Sequence, residues 1–139
     1  MDPRPDEPFA VEAVEGERVL RAVVVRAGSD LVVTVTGGDR PHAGCAVVAV
    51  PRPSRRGPGW SVTVSVAAVP PHRDEAIARP IAEAVAGASG AVTVAVAGVH
   101  ETGADARAIA AWVRLAERLA RELALRLGSR EPGNRRPPS

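Results

Sequence analysis

Apolar and polar residues alternate with a period of two along much of the first half of the chain. Arg18–Arg26 is a valine-rich run, and Gly28, Ser29 and Asp30 turn it into Leu31–Thr36. There Leu31, Val33 and Val35 alternate with Val32, Thr34 and Thr36, which predicts a strand with one face buried. A glycine-rich loop, Gly37–Gly44, leads into the apolar run Cys45–Val50, and the Pro/Gly-rich segment 51–59 reads as a long turn. Trp60, Val62, Val64 and Val66 then alternate with Ser61, Thr63 and Ser65, the cleanest half-buried strand in the chain. After Pro70-Pro71 the period lengthens to that of a helix. Ile77, Ile81, Ala84 and Val85 share a face, Pro80 kinks this helix or starts its second part, and Gly87–Gly90 ends it. Ala91–Ala97 is a fifth strand. From Thr102, whose spacing to Asp105 is a variant capping box, a second helix presents one apolar stripe. Its members are Ile109, Trp112, Val113, Ala116, Leu119, Ala120, Leu123 and Leu127. Glu117–Arg121 and Glu122–Arg126 pair on the outside, and Gly128 stops the helix.

The order β-β-β-β-α-β-α predicts an α+β fold: a mostly antiparallel five-stranded sheet with two helices packed on one face. The other face carries Ser61, Thr63 and Ser65 from one strand but Val24, Val32 and other apolar residues elsewhere. Such a half-apolar face suits a second subunit, so a homodimer is expected, with a monomer bearing scattered exposed valines as the alternative. Residues 1–16 hold three prolines and five acids without periodicity and are expected to be a flexible arm. Residues 17–128 form the single domain, and 129–139 read as a disordered Arg/Pro-rich tail.

Composition narrows the classes. The 139 residues amount to one domain, and an apolar fraction of 45% excludes a disordered chain. Aromatics are only 2%, so the core is built from Val, Ala, Leu and Ile. The single cysteine, Cys45, excludes an internal disulfide and a thiolate zinc site, and its expected role is a buried, inert thiol. No apolar run reaches 18 residues, so no membrane span is expected, and the start MDPRPDEPF has no apolar leader, which points to the cytoplasm. All 18 basic residues are arginine against 16 acids, with a pI near 9.8. Arg130, Arg135 and Arg136 against Glu131 in the tail account for the whole net +2. The folded part is neutral, and the Arg52, Arg55 and Arg56 turn has no aromatic platform or recognition helix beside it. No nucleic-acid partner is expected. GxSxG, P-loop, CxxC and GxGxxG patterns are absent.

The three histidines follow three different strands. His42 lies in the loop after the second predicted strand, His72 just after the fourth and His100 just after the fifth. Tracing strand direction up and down the sheet brings all three exits to one rim, and both helices begin there. Gly37, Gly38 and Gly44 permit close backbone approach, and Arg40 and Arg73 offer guanidinium donors suited to phosphate. Asp39, Asp74, Glu75 and Glu101 add carboxylates that orient histidines or ligate metal. The candidate ligand site is therefore Gly37, Gly38, Asp39, Arg40, His42, Gly44, His72, Arg73 and His100, with His42, His72 and His100 as ligands for a divalent metal. No residue is assigned a catalytic role, and no aromatic residue is expected near this rim.

Three blocks carry a resemblance: GGDRPHAGCAVVAVPRP, SVTVSVAAVPPHRDE and VAVAGVHETGADARAI. Together they resemble the LpdD-like family over residues 18–127, each block bringing one histidine. This family's small D subunits are associated with gallate decarboxylases and are related in fold to proteasome assembly chaperones. The resemblance implies a dimeric α+β protein that binds prenylated FMN and helps its oxidative maturation or its delivery to a UbiD-type aromatic acid decarboxylase. A flavin prenyltransferase is the implied source. The Gly37–Gly44 loop and Arg40 would then meet the phosphate or an adjacent metal, and the histidines would meet phosphate, metal or flavin ring. The chain departs from the pattern at Glu101-Thr102-Gly103, where an aspartate is expected. Two further readings stay open: a metal-dependent enzyme built on the three histidines, and a protein assembly chaperone without a small-molecule ligand.

Overall fold

The computed structural model describes residues 7–70 and 74–128. The start of the expected arm, the tail after Gly128, and the candidates His72 and Arg73 lie outside the described residues. The elements are β1 (Phe9–Glu15), β2 (Arg18–Ala27), β3 (Asp30–Gly38), β4 (Cys45–Pro53), β5 (Trp60–Ala68), α1 (Glu75–Ser89), β6 (Thr93–His100) and α2 (Ala106–Leu127). The fold is α+β, as expected, but the sheet has six strands, in the order β1-β2-β3-β6-β4-β5. Only β3 and β6 pair in parallel; the other four pairings are antiparallel.

The additional strand, β1, falls within the segment expected to be a loose arm. It is a short edge strand whose inward positions Val11 and Ala13 are buried, and it pairs with β2 from Phe9↔Val24 to Glu15↔Arg18. Prolines and acids just upstream obscure an alternation only three inward residues long. A two-residue loop with Gly16 at φ 63 closes the hairpin. β6 is the opposite case. Its near-continuous apolar run belongs to a central strand between β3 and β4, buried on the helix side and half-buried on the open face.

Register explains where the core sits, because cross-strand partners point to the same face. Val11, Ala22, Val35, Ala97 and Cys45 stand in one row across five strands, all buried beneath the helices. Val24 belongs to this helix-covered side, not to the open face where the alternation of the sequence had put it. The open face carries Val23, Val25, Val32, Val94, Val96, Val48 and Val50 beside Ser61, Thr63 and Ser65.

α1 runs unbroken through Pro80, where one helical N–H is missing near the helix start. α2 begins at an N-cap Asp105, whose carboxylate accepts the Ala108 N–H at 2.9 Å; Thr102 is not the cap. The apolar stripe also includes Ala108, Ala111 and Leu115, all buried. Ile109, expected within the stripe, is 55% exposed. It shares its azimuth with fully buried Leu127, eighteen residues or about five turns further on. Its exposure therefore reflects position along the axis: at the start of α2 Ala108, Ala111 and Trp112 are covered, but the edge of the stripe that Ile109 occupies is not. Among the described residues no helix is long and apolar enough to cross a membrane.

Candidate functional site

Parallel pairing of β3 with β6 brings Gly38 and His100 side by side at one end of the sheet. β4 starts at that end, β5 finishes there, and both helices begin there. The rim expected from strand direction is present, and His42 and His100 both lie on it.

Four glycines let the chain pack closely onto itself at this rim. Gly38 has φ +82, and a β-carbon there would strike the His100 carbonyl. Its neighbour Asp39 donates its N–H to that same carbonyl at 2.8 Å. A β-carbon on Gly98 would collide with the His42 carbonyl, and one on Gly44 with the Asp74 carboxylate. Gly37 lies against the Trp112 ring, which a β-carbon would meet at 2.7 Å. These close approaches lie within the chain itself, packing the loop 39–44 across the end of β6.

Two histidine–carboxylate pairs fasten that loop. The His100 Nδ1–H donates to Asp39 Oδ1 at 2.8 Å, since a carboxylate only accepts, and this leaves Nε2 outside that bond on a partly exposed ring. Asp39 Oδ2 also accepts the Thr102 N–H at 2.9 Å. The His100 hydrogen bond first, then Thr102, hold the Asp39 carboxyl well below the ordinary carboxylate range. On the other side, His42 Nδ1 donates to the Arg40 carbonyl at 2.9 Å and Nε2 lies 3.1 Å from Asp74 Oδ2. Both partners are acceptors, so the second contact needs a proton on Nε2 or on the Asp74 carboxyl. Asp74 is buried at the start of α1, yet its side chain makes no cap there. It turns to the sheet, where Oδ1 accepts the Val99 N–H at 3.0 Å. β4 pairs with β6 only as far as Ala97, so Asp74 satisfies the edge group that β4 leaves open.

The depressed Asp39 carboxyl gives a direct check. A lowered folded-state value means the clasp contributes above the ordinary carboxylate range and is lost as pH falls through that lower value. Carboxyl-carbon NMR is expected to find Asp39 still ionised at about pH 3, where an ordinary aspartate is mostly protonated. His100→Ala is expected to raise its midpoint, and an ordinary midpoint in the unaltered protein would refute the contact.

A second cluster on the helix side was not among the expected site residues. Glu101 receives a two-pronged hydrogen bond from Arg18, Nε to Oε1 at 2.8 Å and Nη2 to Oε2 at 3.2 Å. The Trp112 indole N–H also donates to Oε1 at 3.1 Å. Arg18 first, then Trp112, hold the Glu101 carboxyl below its usual range. The departure from the family pattern at Glu101 is thus an ion-pair anchor. Trp112, expected to be core alone, also supplies an aromatic edge at the rim, which corrects the expectation that none lies near. The signal available in the sequence was its place in the first turns of α2, close after His100.

Two cavities flank this cluster. A cleft of about 590 Å³ is lined by Glu17, Arg18, Val19, Gly38, Asp39, Glu101 and Trp112. An apolar pocket of about 190 Å³ opens between the helix starts, and Glu101 and Trp112 form the wall shared by both. Arg40, next in the chain after the cleft residue Asp39, is exposed. Cys45 is buried, and burial pushes its thiol up, as an unreactive cysteine requires. Among the described residues no three His, Cys, Asp or Glu side chains converge on a metal position. His42 and His100 each face a carboxylate of their own, and the third expected ligand, His72, is outside the described residues.

A family model described as the prenylated flavin chaperone LpdD-like domain matches residues 14–128. The chain belongs to this family. The match takes in the sheet from the end of β1, both helices and every described rim residue. Among solved structures, this LpdD-like domain is similar to a chain of a chaperone complex for yeast 20S proteasome assembly, with a TM-score of 0.51 and 14% identity. That similarity covers 87% of the LpdD-like chain and 98% of the yeast one, and it bears out the fold relationship expected from the sequence. A comparison with curated protein sequences finds no match.

Proposed function

We propose that this LpdD-like protein binds prenylated FMN at the rim and acts as the accessory chaperone that matures or delivers it. The client is a UbiD-type aromatic acid decarboxylase, and a flavin prenyltransferase is the source. The observation that carries the reading is that a family of prenylated flavin chaperones matches residues 14–128, and the 590 Å³ cleft lies within that match. Gly38 and Asp39 border the cleft, and Trp112 offers its ring edge to a planar ligand. Arg40 provides donors for the phosphate, and His100 Nε2, the ring's acceptor while Nδ1 donates to Asp39, suits a flavin N–H. His72 and Arg73 belong to the same proposed site, and His42, Gly37 and Gly44 shape its loop. The protein works in the cytoplasm, as a carrier and not as a stand-alone enzyme.

The test is the ultraviolet–visible spectrum of the protein co-expressed with a flavin prenyltransferase, followed by titration with reduced and oxidised prenylated FMN. A co-purified chromophore and a saturable absorbance change are expected, and no binding of either form would overturn the reading. Elemental analysis of the same sample shows whether a divalent metal accompanies the cofactor.

A homodimer through the open sheet face belongs to the same proposal. Val25, Val48 and Val50 are 39%, 36% and 45% exposed there, an apolar strip that a second subunit would cover. Val48→Arg is expected to halve the mass seen by light scattering while leaving the melting temperature of the protomer nearly unchanged. A monomeric unaltered protein would refute the dimer.

A further inference from the structure

We propose that the outer edge of β5 pairs antiparallel with the same strand of a second copy, joining two sheets into one across a two-fold axis at Val64. The two edges of the sheet, β1 and β5, are protected differently. β1 carries Glu12 and Glu15, and Arg118 reaches over it to donate to the Val14 carbonyl at 2.9 Å. Charge on an edge strand keeps another chain from adding to it. β5 has none of these devices. Its nine residues, Trp60–Ala68, include no charge, proline or glycine, and its pairing with β4 has no bulge. Among the described residues no strand pairs with its other side.

Hydrogen bonds at either end of the β4–β5 ladder fix which backbone groups point outward. The Val69 N–H donates to the Gly44 carbonyl at 2.8 Å, and the Ser54 N–H to the Gly59 carbonyl at 3.0 Å. The register between them is unbroken, so Ser61, Thr63, Ser65 and Ala67 turn their amides to β4. Val62, Val64 and Val66 turn theirs to the outer edge. This edge is complementary to itself in reverse. A two-fold at Val64 sets Val62 opposite Val66 of the second copy and Val64 opposite its own counterpart. That gives about six inter-chain hydrogen bonds, within the range of a specific interface. On the open face it sets Thr63 opposite Ser65. Apolar meets apolar, hydroxyl meets hydroxyl, and no like charges oppose each other across the axis. Val66, 39% exposed, is covered by the pairing. The chain's own ends supply no strand for this edge. Residues 129–139 contain Pro132, Pro137 and Pro138, which lack ladder donors, and residues 1–6 precede β1 at the opposite edge. The two-fold stands perpendicular to the sheet and leaves the open face to the dimer proposed above, so four copies carry both interfaces.

Amide hydrogen exchange of the full-length protein, followed by NMR, tests the pairing together with light scattering. The outward Val62, Val64 and Val66 amides are expected to be protected to the level of Thr63 and Ser65, which bond β4. Val66→Pro removes only an outward N–H and leaves the β4–β5 ladder complete. It is expected to halve the mass and to release the Val62 and Val64 amides to fast exchange. Val66→Lys keeps the backbone donor but sets a charge opposite Val62, and it provides the same reading should the proline variant not fold. Fast exchange of the outward amides in the unaltered protein overturns the inference and leaves the open-face dimer, tested by Val48→Arg, standing. An unchanged mass in both β5 variants overturns it as well. Protection that arises only on adding a UbiD-type decarboxylase assigns the edge to a client strand and overturns pairing with a second copy.

Discussion

Gly98→Ala is expected to lower the melting temperature by roughly 10 °C, from a loss of about 3 kcal/mol. Gly98 sits in β6 with the His42 carbonyl directly over it, and both atoms in conflict belong to or adjoin backbone. A methyl group must either lift the loop 39–44 or push β6 out of register with its neighbours. Lifting the loop endangers the Gly44 N–H bond to the Ala97 carbonyl at 2.9 Å and separates His42 from Asp74. Gly87→Ala is the matched control. Its β-carbon would meet only a Val62 methyl at 3.6 Å, an ordinary contact, and alanine is the better helix former by roughly 0.5–1 kcal/mol. That variant is therefore expected to melt slightly higher. Thermal denaturation followed by circular dichroism checks both, and a Gly98→Ala protein as stable as the parent would refute the placement of the His42 loop.

Trp112→Ala is expected to cost about 4 kcal/mol, since it empties a large, nearly buried ring from the core beside Gly37. Trp112→Phe keeps most of the packing and loses the indole N–H to Glu101, for a smaller loss of about 1 kcal/mol. Chemical denaturation of the pair separates packing from hydrogen bonding. If prenylated flavin uses the wall between the two cavities, Trp112→Phe is also expected to weaken its binding well beyond what the small stability loss explains. Equal losses in the two variants would mean that the hydrogen bond, and not ring volume, dominates this position.

The rim shows how far linear patterns reach. Strand direction depends only on the count of reversals, so placing His42 and His100 at one end needed no coordinates. Partner choice depends on which side chains remain when loops close, and nothing in the order of residues pairs His42 with Asp74 or His100 with Asp39. Glu101 was visible as one rim carboxylate among four and as a departure from a pattern, but not as an ion-pair anchor. Its role depends on Arg18, 83 positions away, arriving at the start of β2, beyond β3 from the end of β6. β1 was hidden for a different reason: an edge strand with one buried face and small inward residues carries little periodic signal, and its stability comes from pairing with β2.

By itself the sequence determined the α+β class, five of the six strands, both helices, the resemblance to prenylated flavin chaperones and the gathering of chemistry at one end. Those follow from local periodicity, breaker residues and chain reversals, which are properties of neighbours along the chain. Only the tertiary structure decided the two histidine–carboxylate clasps, the Arg18–Glu101–Trp112 anchor and the two cavities it divides. It also decided that Ile109 stays open while Leu127, on the same azimuth, is buried. Hydrogen bonds and cavities belong to residues distant in sequence, and burial along a helix is settled by what lies over each turn.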